Sequence, residues 1–309
     1  MTKHINQLFF NRTLVVFILF AVWFIGAMSL RYFYHQQVSG YQNPINEQIS
    51  QRVSMLSALQ AELIDKEFSF VGANLKQLGA MSIEAPQQVA AYAERLKNLN
   101  PTIWQLYVAD SNGVITFSTN PGYTQPISVR DYFTEHIRNE HNSFFISSPR
   151  QPIIQESALS IMMSYPIRDS EDKFRGVVVA TLKNEDLTAQ LGKITRNKNI
   201  SAVLTDQSGK LIWSSSMYEG LQKSDIYSLC KNHKYLASTE MGIHRVQLNN
   251  NAQCDFQFIE KWGMFSIVAE NRASADQSIQ QYEQQMVTRN IIILIVFTLL
   301  LVFLGNQLL

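Results

Sequence analysis

The chain has 309 residues, of which 46% are hydrophobic, and 26 Lys and Arg stand against 25 Asp and Glu for a formal net charge of +1. That content is enough to bury a core, and the near-neutral balance lacks the bulk basicity of a nucleic-acid-binding surface. The two cysteines show no Cys-x-x-Cys or Cys/His spacing, so a zinc centre is not expected.

Residues 1–12 read as a short tail carrying Lys3 and Arg12. The uncharged, apolar residues 13–30 follow, and as a helix they reach about 27 Å, close to the hydrocarbon thickness of a bilayer. Ala27 and Ser29 occupy small-residue positions like those of a cleavage site, but the bulky apolar run outlasts the core of a signal peptide, so a transmembrane helix is predicted. Lys3 and Arg12 put the tail on the cytoplasmic side by the positive-inside rule.

Residues 31–99 predict a long helical stalk. Asn43 is its N-cap and Pro44 lies in its first turn; Ile45, Ile49, Val53, Leu56, Leu59 and Leu63 then recur at spacings of three and four, and the stripe continues through Phe68, Phe70, Leu75 and Leu78. This stripe packs either along the chain's own sheets or against a second copy as a homodimer seam.

Next comes an internal repeat. Residues 107–119 read YVADSNGVITFST and residues 203–215 read VLTDQSGKLIWSS, aligning Asp110 with Asp206, Gly113 with Gly209, Ile115 with Leu211 and Phe117 with Trp213. Each copy predicts a strand, a tight turn opened by Asp and closed by Gly, and a returning strand. Further strands follow each copy: 159–166 and 176–182 after the first, and 242–248, 254–259 and 264–269 after the second. The pattern predicts an α+β chain with two antiparallel-sheet units, 100–195 and 196–272.

Residues 273–290 form a polar helical stalk, and residues 291–309 a second transmembrane helix. Its apolar core, 291–304, reaches only about 21 Å and needs the last five residues to cross. Both ends of the chain then face the cytoplasm and the middle is exported. Cys230 and Cys254 lie in that exported part, where they form either a disulfide closing a loop of about 25 residues, worth roughly 3 kcal/mol, or a pair of buried thiols.

The plan, together with Val129-Arg130-Asp131-Tyr132-Phe133, Phe145-Ile146-Ser147-Ser148-Pro149, Tyr165-Pro166-Ile167 and Lys173-Phe174-Arg175-Gly176-Val177-Val178, resembles the double-Cache sensors. These are two tandem PAS-like units on a long N-terminal helix, flanked by two transmembrane helices. The resemblance covers nearly the whole chain and looks most like the extracytoplasmic sensors of bacterial diguanylate cyclases, with related domains in chemoreceptors and histidine kinases. It implies a bacterial inner-membrane protein with a periplasmic main domain, a small-molecule pocket in the membrane-distal unit and a cytoplasmic output. No output domain follows residue 309 in this sequence. The chain therefore reads as a piece of a longer receptor or as a stand-alone subunit coupled to a separate membrane partner.

Ser128 and Asp131 have the spacing of a capping box, with Val129, Phe133 and Ile137 as the buried stripe of the helix behind it. Arg130, in the first turn, opposes the helix dipole unless an anion is near; it is a carboxylate or phosphate trap, or else pairs with a neighbouring acid or points to water. The resemblance implies that Arg130, Tyr132 and Phe133 face the distal pocket, with Tyr123 and Tyr165 lining it. Amino-acid-binding members carry an Asp at the end of the Gly-Val-Val strand where this chain has Thr181, which speaks against an amino-acid ligand and leaves a carboxylate or other anion open. No GxSxG, HExxH or Gly-rich phosphate loop is present and the six His are scattered, so neither catalysis nor a cofactor or metal is expected.

Overall fold

The structure, a computed structural model, describes residues 2–120, 122, 126–138, 143–147, 160–192, 199–207, 210–215, 244–248 and 252–308. Helix α1 (Thr2–Glu84) leads through a 3₁₀ turn, Pro86–Gln88, into α2 (Val89–Leu99). Then come β1 (Ile103–Asp110), β2 (Ile115–Ser118), α3 (Asp131–Arg138), β3 (Phe145–Ile146), β4 (Ser160–Arg168), β5 (Phe174–Lys183) and α4 (Asn184–Leu191). The second half holds β6 (Ile200–Asp206), β7 (Leu211–Ser214), β8 (His244–Leu248), β9 (Ala252–Ile259), a 3₁₀ turn at Glu260–Trp262, β10 (Met264–Asn271) and α5 (Ala273–Leu308). The chain divides into two compact units, Met1–Ile49 with Arg272–Leu309, and Ser50–Asn271.

The first unit pairs the beginning of α1 with α5. Trp23 Nε1 donates to Thr298 Oγ1 at 3.0 Å, Tyr41 stacks on Tyr282 at 4.2 Å, and Gln42 Nε2 donates to Glu283 Oε1 at 2.7 Å. Both helices contain an apolar window of mean hydropathy 2.5 in which no residue is buried, as contact with lipid would require. Phe17, Phe20, Phe24, Ile292, Leu299 and Phe303 are among the exposed residues.

The helix expected to start at Asn43 does not start there: α1 is continuous, with Pro44 inside it. Proline removes one backbone donor and crowds the carbonyl four residues back, at a cost of about 3 kcal/mol. Here that residue is Gly40, where even a Cβ would meet nothing within 4 Å outside the helix's own backbone. The contacts of Tyr41 and Gln42 with α5 on one side, and of Asn46 Oδ1 with Arg272 Nη2 on the other, hold the helix across the proline.

In the second unit, α1 buries Val53, Ala61, Ile64, Phe68, Val71, Leu75 and Leu78. Leu59, expected in that stripe, is exposed, while Ser57 and Gln60 are buried. The polar pair is accommodated because the second sheet offers it backbone partners. Ser57 Oγ donates to Ser266 O, Ser266 Oγ donates to Ser57 O, and Gln60 Nε2 donates to Val203 O. Arg52 grips Glu270 through two hydrogen bonds beside them.

Each sheet has five strands, in the order β2-β1-β5-β4-β3 and β7-β6-β10-β9-β8. The repeat extends to detail. The register shifts between Val108 and Ala109 in one hairpin and between Leu204 and Thr205 in the other. Thr119 Oγ1 accepts from Leu106 N at 3.0 Å, and Ser215 Oγ accepts from Ala202 N at 2.9 Å. Asp110 Oδ1 accepts from the N–H groups of Asn112 and Val114, and Asp206 Oδ1 from that of Lys210, so each Asp closes its own turn as the sequence pattern predicts. Gly113 takes φ +78°; Gly209 lies outside the described residues.

Asp169 closes a third turn of this kind, accepting from Glu171 N and Lys173 N. Here Asp172 occupies the left-handed position, at φ 61°. Its ion pair with the largely buried Arg168 is long, 3.9 Å, its own side chain is exposed, and Arg168 Nη1 also donates to the Asp172 backbone carbonyl, so little is lost with the carboxylate. Asp172→Gly is expected to raise stability by about 0.5–1 kcal/mol, read as a small rise in the thermal midpoint.

Candidate functional site

The first sheet has two unlike faces. One lies on α1, where Gly72 abuts Met163 and Gly79 abuts Ile167 and Val178. The other carries three rows across β1, β5 and β4: Gln105–Thr181–Met162, Tyr107–Val179–Ser164 and Ala109–Val177–Pro166. Tyr132 and Phe133 of α3 cover this second face and form one buried cluster with Tyr107, Ala109, Met162, Val177, Val179 and Ile127. Tyr107 meets Tyr132 edge-on at 6.4 Å, and Phe133 meets Phe174 at 5.7 Å.

The β1–β2 turn sets the position of α3. Gly113 O accepts from Ile127 N at 2.8 Å, and the backbone of Ser128 passes so close to Gly113 that a Cβ there would lie 2.6 Å from Ser128 N. The helix begins later than the expected capping box requires. Arg130 O accepts the first helical bonds, from Phe133 N and Thr134 N, and Asp131 Oδ1 accepts from Tyr132 N. Val129 and Ile137 are 85% and 54% exposed, so of the expected apolar stripe only Phe133 is buried, together with Tyr132 and His136.

His136 occupies that face because a partner waits there. Its Nε2 lies 2.8 Å from Ser164 Oγ, and Ser164 Oγ donates to Tyr132 O at 3.0 Å. With the single hydroxyl proton committed to Tyr132 O, the imidazole Nε2–H is the donor to Ser164. Burial, reinforced by the nearby Arg168 cation, pushes the His136 pKa down to about 4.

Of the residues expected at the site, Tyr132, Phe133 and Thr181 share this face. Thr181 is buried opposite both Gln105 and Met162. Arg130 stands at the head of α3, half-buried, and its side chain has no hydrogen-bond or ion-pair partner among the described residues. Tyr165 is on the opposite face, its ring tilted against that of Phe144 at 4.8 Å with Lys76 Nζ 5.4 Å from its ring centre, so the fold separates it from Tyr132. Tyr123 and Cys230 lie outside the described residues, and Cys254 is buried in the second sheet.

Gln105, Tyr107 and Met162 were not anticipated at this face. The repeat holds the signal that identifies them. At the equivalent rows the second sheet has Ser201–Ala269–Cys254, Val203–Ile267–Phe256 and Thr205–Phe265–Phe258, with Phe258 and Phe265 in ring contact at 5.0 Å. Gln105, Tyr107 and Thr181 thus stand where the second sheet has Ser, Val and Ala. Gln105 Nε2 donates to Ser118 Oγ at 2.9 Å, which leaves its carbonyl oxygen as a further acceptor. The first face thus sets an amide, a phenol and a hydroxyl at Gln105, Tyr107 and Thr181, while the second carries the Ser201 and Thr205 hydroxyls beside Phe256, Phe258 and Phe265.

The sequence profile of the Cache domain family dCache_1 matches residues 36–286. Among curated proteins none matches. Among solved structures, the extracellular domain of rpHK1S-Z16, described as a histidine kinase, is similar with a TM-score of 0.62 at 19% identity, over 75% of this chain and 97% of that one. The ligand-binding domain of the Campylobacter jejuni chemoreceptor Tlp3, in complex with L-valine, aligns with a TM-score of 0.54 at 14% identity, over 75% and 96% of the two chains. That of the Pseudomonas fluorescens chemoreceptor CtaA, in complex with L-isoleucine, aligns with a TM-score of 0.54 at 15% identity, over 77% and 98%.

Proposed function

Because the chain belongs to the Cache-domain family, we propose that it is the sensing part of a bacterial inner-membrane receptor, with two transmembrane spans and the tandem sheets in the periplasm. The first sheet is the membrane-distal lobe and its α3-covered face holds a small solute. The observation that carries this reading is the contrast between the two equivalent faces: Gln105, Tyr107 and Thr181 where the other lobe has Ser201, Val203 and Ala269.

The solute carries a carboxylate or another anionic group, which the Arg130 guanidinium receives at the head of α3. Tyr132 and Phe133 wall the body of the ligand. Structural neighbours hold L-valine and L-isoleucine. In this chain Thr181, rather than an acid, faces the ligand's far end, and the three rows contain no carboxylate to balance an ammonium. A carboxylate with a neutral far end is therefore the preferred class. The chain binds and does not catalyse. Binding shifts a two-state equilibrium of the sheets, which α1 and α5 relay to an output of kinase, chemoreceptor or diguanylate-cyclase type; the shift is limited by the ligand's differential affinity for the two states.

A thermal-shift panel of organic acids beside L-valine and L-isoleucine tests the reading. A ligand at a hundred times its Kd stabilises by about 2.7 kcal/mol. Arg130→Ala is expected to abolish that gain and leave the unliganded midpoint within about 0.5 kcal/mol of the parent, since the half-buried side chain has no hydrogen-bond or ion-pair partner among the described residues. A variant that keeps the whole gain excludes Arg130 from the site.

A further inference from the structure

The two lobes meet at an aromatic junction seated on α1. Phe68, Gly72 and Lys76 follow one another at i, i+4 and i+8, a single row along the helix. Trp262, in the β9–β10 turn of the second lobe, sits edge-on to Phe68 at 5.7 Å and donates from Nε1 to Asp65 Oδ1 at 2.8 Å. Phe144 occupies the notch at Gly72, where a Cβ would lie 3.0 Å from its Cζ. Its ring touches Tyr165 at 4.8 Å on one side and Trp262 at 5.5 Å on the other, with Lys76 Nζ 5.9 Å from its centre. Among the described ring contacts, Phe144 with Trp262 is the one that joins the lobes.

Phe144 is also tied to the candidate binding face through the residues that follow it. Phe145 packs against the cluster containing Tyr132, Phe133 and Met162. Ser147 N donates to Met162 O at 2.9 Å, and Met162 N donates to Ser147 Oγ at 3.0 Å. A displacement of Met162 thus moves residues 145–147 and, through the backbone, the ring lodged between Tyr165 and Trp262. Close-packed rings do not deform continuously; the ring stays in its notch or leaves it.

We propose that Phe144, held over Gly72 between Tyr165 and Trp262, is the coupling residue through which the binding face of the first lobe and the β9–β10 turn of the second sense each other. The proposal rests on the reading of the α3-covered face as the ligand site. By reciprocity, a disturbance at Trp262 is felt at α3 as one at Met162 is felt at the turn.

Hydrogen exchange on the full chain in lipid nanodiscs tests this without a ligand. Met162→Ala opens a cavity at the binding face and is expected to speed exchange of residues 260–263 about tenfold; Trp262→Ala does the same to residues 131–138. In a Phe144→Ala background neither change is transmitted. Equal acceleration with and without Phe144, or no acceleration at the remote segment in the parent, overturns the proposal. If the alanine variant does not fold, Phe144→Leu fills the notch without a ring face, and transmission at the parental level then counts against the proposal. The Arg130 experiment reports separately, so coupling can stand where the site assignment falls, and the reverse.

Discussion

Gly176→Ala is expected to cost the chain at least about 4 kcal/mol and to lower the thermal midpoint of the Ser50–Asn271 unit by roughly 10 °C. Gly176 sits on the central strand β5, opposite Asp110 of β1 and Ile167 of β4, at φ +146°, a region that side-chain-bearing residues hardly enter. A Cβ there would lie 1.9 Å from Ala109 O and 2.9 Å from Ala109 C. Both are backbone atoms of a paired strand, so no rotamer change relieves the overlap and β1 must separate from β5. That seam carries Tyr107 and Val179, so the binding face is lost with it. Chemical denaturation of parent and variant measures the difference. A loss below about 1 kcal/mol would mean that β1 and β5 are not paired in this register.

The second large effect is a dependence of stability on pH centred on His136. In the unfolded chain its pKa is about 6.5, whereas in the fold burial and the Arg168 cation bring it to about 4. Above pH 6.5 both states hold the imidazole neutral and it contributes no slope. Between pH 6.5 and 4 the unfolded chain takes up a proton that the folded chain refuses. Stability therefore falls by about 1.4 kcal/mol per pH unit, to a total of about 3 kcal/mol, and levels off below pH 4. Urea unfolding at pH 7, 6, 5 and 4 measures the slope, and His136→Gln, which keeps a donor for Ser164, is expected to flatten it. An unchanged slope in that variant would assign the dependence to other groups. Asp169 does not confuse the result. Its carboxyl is held below the usual range first by the N–H of Lys173 and also by Arg175, so its contribution is present above the ordinary carboxylate pKa and is lost only at more acidic pH.

The same histidine marks the limit of what periodicity reveals. Val129, Phe133 and Ile137 make a regular apolar spacing, yet α3 turns Tyr132, Phe133 and His136 inward. The polar residue is buried because Ser164, 28 positions along the chain, supplies its hydrogen bond. Ser57 is buried in the same way by Ser266, 209 positions away. Tyr165 fails for a related reason. Both faces of β4 are covered, so alternation separates its residues into two sets without saying which set meets α1 and which meets α3.

By itself the sequence determined what depends on neighbours a few residues apart. Asp110 and Asp206 open turns because a carboxylate reaches its own backbone. The apolar stretches before and after the sheets are long enough to span a bilayer whatever lies between them. The duplicated hairpin announced twin α+β lobes. Tertiary structure alone decided that α1 continues through Pro44, which of two covered faces stands free of α1, and that Phe144 lies between the lobes. Each of these turns on atoms brought together from distant parts of the chain, where burial and satisfied hydrogen bonds outweigh local preference.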